Sequence, residues 1–327
     1  MADHWMIFGM DERARVRRLL SDCYTQESLT LRPLRSAVER SVYRVRRTCA
    51  PDWVLRIDRG ERAWFDTMDR AAVLLFLNEY GYPAPEVVPT VTGKPAVRVD
   101  GESILVTSSV PGKEGRYTPT QLYLLAESVA KLHALDLDDR DLNSLPETQW
   151  RPEAELRDAI QLLIDLEPVV PKHLCAWHAR LLCALRPLDG LGDAPRAVMH
   201  TDISPANAIF TEREVVLIDW DGAGLGPAFY DLAWLLASAD GDGCGGFWPD
   251  ASRIEAIISG YTKHRVLSRP ERELLSDAVR LGPAVDATKN FVAHLQGRTG
   301  EEAWQRGWAR YEAASEVVDI AQRCLNG

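Results

Sequence analysis

Three oxygen-bearing side chains between residues 200 and 220 have types and spacing that suit phosphate chemistry. The stretch reads His200-Thr-Asp-Ile-Ser-Pro-Ala-Asn207, continues as Ala208-Ile-Phe-Thr211, breaks at Glu212 and Arg213, and resumes as Val215-Val-Leu-Ile218 before Asp219. The two apolar runs read as short strands. If they pair antiparallel, Asn207 lies across from about residue 218 or 219. The polar break offers poor turn chemistry, so the register is free to slip by one or two residues. An amide oxygen and a carboxylate at one edge suit a hard divalent cation such as magnesium. Asp202 precedes Asn207 on an irregular segment containing Pro205 and can approach the same place without joining the strand. A carboxylate near the metal, but not on it, is what phosphoryl transfer to an alcohol requires. The metal neutralises phosphate charge while the carboxylate accepts the hydroxyl proton and aligns the attack.

The elements that must position these groups follow from periodicity. Residues 28–34, 42–46 and 53–57 are β-type runs, and 96–99 and 103–106 form a further strand pair. Residues 65–80 carry Val73, Leu74 and Leu77 at helical spacing, and Gly81-Tyr-Pro-Ala-Pro85 stops that helix. The first part therefore reads as strands with one helix. The remainder is mainly helical. Thr118-Pro119-Thr120-Gln121 is a capping box with Pro at the first helical position, opening a helix with Leu122, Leu125, Val129 and Leu132 on one face. Long helical stretches are expected at 153–186, 251–265, 270–296 and 301–325.

The spacing His200-x-Asp202-x-x-x-x-Asn207, followed by Asp219, resembles the protein-kinase catalytic loop and its second metal-binding aspartate. The wording is different. Val198 to Phe210, then Val216-Leu-Ile-Asp-Trp220, then Gly226-Pro-Ala-Phe-Tyr-Asp-Leu-Ala-Trp234 resemble the aminoglycoside phosphotransferase and choline kinase family, over about 28–265 of the chain. The resemblance implies an α+β, two-lobed protein-kinase-like fold. A small antiparallel-sheet lobe, 1–106, would hold the nucleotide, and a larger helical lobe, 107–327, would carry catalysis and the acceptor. It implies Asp202 as catalytic base, Asn207 and Asp219 as magnesium ligands, and ATP or GTP as co-substrate. His200 would brace the loop by hydrogen bonding. Asp231, starting a helix over 232–237, would cap that helix and tie down the catalytic loop.

The same resemblance asks the third strand for a cation to the α- and β-phosphates, and Arg56 is the candidate, with a surface charge as the plainer alternative. The following helix should supply a Glu to pair with it. None occurs from Ala63 to Asn78, which leaves Asp66 and Asp69 as candidates, with Arg70 near the expected position. The segment 35–41 resembles the phosphate-covering loop without its glycines, so Ser36 or Ser41 would contact phosphate. Residues 105–112 resemble the hinge, where the backbone of Ser108 and Val110 would bond the base.

Charge bears on the acceptor. Residues 1–106 hold 16 basic and 15 acidic side chains, while 107–327 hold 22 and 33. The net of −10 argues against nucleic acid as a partner. Its concentration in the second part favours a cationic hydroxyl compound, although solubility alone is an alternative. Asp240, Asp242, Asp250, Glu301 and Glu302 are the acidic residues there, and Trp304 or Trp308 could line the cleft. The expected activity is phosphorylation of an aminoglycoside or basic peptide antibiotic, hence antibiotic resistance. The alternatives are a metabolic kinase for choline, homoserine or a sugar, and an inactive kinase-fold binding protein. No apolar run suits a membrane span, and the first ten residues lack a basic signal-peptide region. The six scattered cysteines read as free, mostly buried thiols in a reducing, cytoplasmic setting. Gly222-Ala-Gly-Leu-Gly226 has Pro227 where a dinucleotide fingerprint needs glycine, and no P-loop motif occurs.

Overall fold

The computed structural model describes residues 4–188, 194–238 and 249–326, with side chains from residue 12 onward except those of Ser36 and Pro187. The chain divides into two compact units. The first comprises residues up to Gly112 together with Val216–Asp221, and the second comprises Lys113–Val215 and the residues from Gly222 onward. The first unit thus runs past the expected end at 106. Its hinge residues stay bonded to it, since the Ser108 N–H donates to the Glu86 carbonyl and the Ser109 N–H to that of Asp52, at 2.8 and 2.9 Å.

In the first unit, helix α1 (His4–Cys23) precedes strands β1 (Leu29–Ser36), β2 (Arg40–Arg47) and β3 (Trp53–Asp58). Helix α2 (Ala63–Glu79) follows, then β4 (Ala96–Val99) and β5 (Glu102–Ser108). The strands form one antiparallel sheet in the order β1-β2-β3-β5-β4. Side chains alternate between faces along a strand. On β3, Trp53, Leu55 and Ile57 point to one face and join the cluster formed by Ile104, Val106 and the α1 residues Val16, Leu19 and Leu20. Leu55 and Ile57 are fully buried, each worth about 1.5–3 kcal/mol relative to exposure. Arg56 and Asp58 occupy the opposite face of the strand. Helix α1 was not among the expected elements, although Val16, Leu19 and Leu20 have helical spacing.

The second unit opens with β6 (Lys113–Glu114), α3 (Pro119–His133), α4 (Asp139–Ser144), α5 (Pro152–Leu166) and α6 (Cys175–Leu185). The short strands β7 (Arg196–Met199), β8 (Ala208–Phe210), β9 (Val215–Leu217) and β10 (Gly224–Pro227) come next, with β9 leading into the 216–221 segment of the first unit. Helices α7 (Phe229–Ala237), α8 (Ala251–Thr262), α9 (Arg269–Leu295) and α10 (Glu301–Asn326) complete it. The expected single stretch 153–186 is two helices, because Pro168 falls in the first intervening 3-10 turn and Pro171 directly precedes the second. The Thr118 hydroxyl accepts from the Gln121 N–H as expected, but Gln121 Oε1 accepts from the Arg116 N–H rather than closing a box on Thr118. Leu122, Leu125, Val129 and Leu132 are all fully buried.

Strand β7 pairs antiparallel with β10 and β6 with β8. The glycines of β10 serve packing, since a Cβ on Gly224 would collide with the backbone of residues 146–148. Gly260 likewise lets α8 approach the Tyr123 carbonyl of α3. Trp304 is fully buried and meets Trp177 and Phe291 edge-on, and Trp308 is 7% exposed, so both are core residues rather than lining of a cleft. The described thiols are free as expected, but not buried. Cys49, Cys175 and Cys183 are exposed, Cys23 and Cys324 half-buried, all five are free, and Cys244 lies outside the described residues. Among the described residues no helix is long and apolar enough to cross a membrane.

Candidate active site

The candidate residues form two clusters, one within each unit. The second unit holds Asp202 and Asn207 on the segment between β7 and β8. Pro205 starts a 3-10 turn, Pro205–Asn207, which rotates Asn207 back toward Asp202. Asn207 Nδ2 donates to the Asp202 carbonyl at 2.9 Å and to Asp202 Oδ2 at 2.7 Å. With its nitrogen committed there, the amide turns Oδ1 the opposite way. Asp202 stays exposed, as a carboxylate that meets a substrate must. The Thr211 hydroxyl accepts from the Arg213 and Glu214 N–H groups, while the Thr211 N–H donates to the Glu214 carbonyl. This hydroxyl supplies the turn chemistry that Glu212 and Arg213 lack.

Asp231 holds the segment from beneath. It is 1% exposed, and its carboxylate accepts from the backbone N–H of His200 at 2.7 Å and of Thr201 at 2.9 Å. It sits inside the first turn of α7, which begins at Phe229, and the helix has no side-chain cap. It therefore ties down the loop but does not cap the helix as expected. Thr201 is held at φ 75°, a left-handed conformation that a β-branched residue adopts only under constraint, costing about 1–3 kcal/mol. The fully buried His200 accepts from the Asp202 N–H through Nδ1 at 3.3 Å, the bracing expected of it.

A buried chain continues behind Asp231. His133 Nε2 lies 3.2 Å from Asp231 Oδ2, and His133 Nδ1 lies 2.9 Å from the Tyr261 hydroxyl. Arg265 donates to Tyr261 at 2.8 Å and to Glu271 at 2.6 Å. A neutral imidazole satisfies all three groups, with the phenol donating to Nδ1 and Nε2 donating to Asp231. Burial drives the His133 pKa below the ordinary histidine value, outweighing the attraction of Asp231. Sequence reasoning missed His133 and Tyr261, which lie 98 and 30 residues from Asp231 along the chain.

The first unit holds the second cluster. Arg56 Nη2 donates to Asp219 Oδ1 at 2.5 Å, and its Nη1 to Asp221 Oδ1. Arg70 of α2 forks between Asp58 at 2.9 Å and Asp221 at 2.6 Å. Arg40, opposite Asp58 in the β2–β3 register, bonds Asp58 at 2.6 Å and also Asp221. Burial would raise the Asp58 pKa, but Arg70 and Arg40 more than offset this and hold it below the usual carboxylate range. The acidic partners of Arg56 are thus Asp219 and Asp221 rather than Asp66 or Asp69. Asp66 pairs with Arg62 at 3.8 Å. Asp219 has φ 64°, a second left-handed non-glycine residue at a candidate position.

Other expected contacts fare differently. The loop 35–41 contracts to a tight turn closed by reciprocal Ala37–Arg40 backbone bonds. Ser36 pairs with Ser41 through its backbone in β1, and its side chain lies outside the described residues. Ser41 is 1% exposed and its hydroxyl accepts from Arg59 at 3.0 Å, so it faces inward instead of toward a phosphate. At the hinge, Ser108 has already spent its N–H on Glu86, and Val110 is half-buried. Glu301 and Glu302 are exposed in the first turn of α10, where they complement the helix dipole. Asp240 and Asp242 lie outside the described residues.

A sequence profile of the phosphotransferase enzyme family matches residues 30–272. Homoserine kinase of Gluconacetobacter diazotrophicus is 28% identical over 261 residues, covering 75% of each chain. Among solved structures, a microcompartment-associated aminopropanol kinase superposes with a TM-score of 0.64 at 20% identity, over 96% of this chain and 98% of that one. A spectinomycin phosphotransferase in complex with ADP and spectinomycin gives 0.62 at 16% identity, over 95% and 98%. At those identities the structural likeness is one of fold, and the fold is the α+β kinase-like one. The profile covers well over half of the sequence, and this chain belongs to the phosphotransferase enzyme family.

Proposed function

We propose that this phosphotransferase moves the γ-phosphoryl group of ATP or GTP to the hydroxyl of a small amino alcohol, with homoserine the first acceptor to test. The observation that carries the reading is the Asp202–Asn207 pair: an exposed carboxylate oriented by an amide whose remaining oxygen is turned away. Asp202 accepts the proton of the attacking hydroxyl and aligns that oxygen for in-line attack. Asn207 and Asp219 offer hard oxygen donors of the kind magnesium prefers, and bound magnesium supplies neutralisation of phosphate charge. Arg56, whose two Nη groups donate to Asp221 and Asp219, is the cation this reading assigns to the phosphates. The Asp231–His133 chain keeps the base in place.

The acceptor class rests on the sequence likeness to homoserine kinase and the fold likeness to aminopropanol kinase, both named for small hydroxyl compounds that carry an amino group. A larger polycationic acceptor such as an aminoglycoside is the second reading, favoured by the excess acidity of residues 107–327. The test is acceptor-dependent ADP release by the wild-type chain and by Asp202→Asn. Release with homoserine that is lost in the variant supports the first reading. A strong preference for aminoglycosides supports the second.

A further inference from the structure

Three arginines and three aspartates of the first unit form one ionic cluster, and Asp221 is its hub. Its Oδ1 accepts from Arg56 and Arg70, and its Oδ2 accepts from Arg40. Arg70, 5% exposed, and Arg40 each bridge Asp221 to Asp58, so two forks lock these carboxylates together. Arg56 spans Asp221 and Asp219. The polarity runs opposite to expectation. Helix α2 presents a cation, and the acid that pairs with Arg56 comes from two residues beyond Asp219. Three guanidinium groups converge on one carboxylate, an arrangement that would be repulsive without it.

We propose that Asp221 and Arg70 are positioning residues for a magnesium nucleotide: Asp221, clamped by Arg70 and Arg40, is the fixed acidic partner that keeps Arg56 aimed at the phosphates. The proposal rests on the phosphotransferase reading. Asp219 Oδ1 accepts from Arg56. A divalent cation held by the same carboxylate would compete with Arg56 for its negative charge. Asp221 supplies the replacement, and without it the guanidinium and the cation would contend for one aspartate. Arg70 acts only through Asp221 and Asp58.

The sign of one measurement separates positioning from bulk charge. Asp221→Asn makes the cluster one unit more positive, and charge alone would then bind a polyanion more tightly. Positioning predicts the reverse for the magnesium complex. Calorimetric titration of the full chain with a non-hydrolysable ATP analogue, with and without magnesium, needs no acceptor and no turnover. Losing a hydrogen-bonded charge partner of this kind corresponds to about tenfold in affinity. We expect Asp221→Asn to weaken the magnesium complex by about that factor while the metal-free analogue binds equally or more tightly. Arg70→Lys should retain more affinity than Arg70→Met. Asp221 is 28% exposed, so its isosteric variant should fold even where Arg70→Met does not. Magnesium-analogue binding to Asp221→Asn as tight as wild type, or tighter, overturns the proposal. Failure of the wild type to bind the analogue at all defeats the phosphotransferase reading, and this inference with it.

Discussion

Asp231→Asn probes the support beneath the catalytic segment. The carboxylate, 1% exposed, accepts from the N–H groups of buried His200 and half-buried Thr201 and pairs with buried His133 Nε2. The asparagine amide keeps one acceptor oxygen and presents an NH2 group that must confront at least one of these donors. Its better orientation keeps the oxygen toward His200 and His133 and strands the Thr201 N–H, a loss of about 1–3 kcal/mol. The surviving bonds lose their charge assistance, which roughly halves them. The sum is about 2–4 kcal/mol. For a unit of this size that corresponds to a Tm lowered by roughly 5–15 °C. Thr201 would relax from its left-handed conformation, and the neighbouring Asp202 would lose its placement. A displacement of about 1 Å at a reacting group costs on the order of 10²-fold in rate. Thermal unfolding and ADP-release kinetics report the two effects separately. A variant that melts within a degree of wild type and keeps its kcat would refute the view that Asp231 holds the loop.

Two further outcomes follow from the same region. Thr201→Gly should leave stability unchanged or raise it by about 1 kcal/mol, against the usual glycine penalty, because φ 75° is strained for threonine and free for glycine; thermal melting checks this. His133 has a folded-state pKa lowered by burial, so the unfolded chain takes up a proton near the ordinary value of about 6.5 while the folded chain does not. Its contribution is therefore intact above that pH and lost as pH falls below it, by up to about 1.4 kcal/mol per pH unit. Tm measured from pH 8 to pH 5 should fall more steeply for wild type than for His133→Gln.

Local pattern made much of this architecture legible. Local runs of β-type residues marked the five strands of the first unit, helical spacing marked α2 and α3, and a single spacing motif singled out Asp202, Asn207 and Asp219 as candidates. What stayed hidden depends on tertiary contact. The partners of Arg56 lie 163 and 165 residues away, and no local signal marks such a pair. Half of the clue was present, because Arg56 and Asp58 stand two apart on one strand and so share a face. The inward turn of Ser41 follows from a two-residue hairpin that a seven-residue loop reading could not anticipate. The break in the 153–186 stretch has a local mark in Pro168 and Pro171, which end one helix before the next begins. The prominent tryptophans were ambiguous because a large aromatic at helical spacing suits a core as well as a cleft, and packing decided for the core at Trp304.

The most direct test of the account is the rate of ADP release with magnesium and ATP as acceptors are varied across homoserine, aminopropanol, choline and an aminoglycoside, in wild type and Asp202→Asn. The account predicts release that rises with an amino alcohol, homoserine foremost, and collapses in Asp202→Asn while that variant still binds magnesium nucleotide. Acceptor-dependent release that survives Asp202→Asn, or none with any hydroxyl compound from a folded, nucleotide-binding chain, would contradict it.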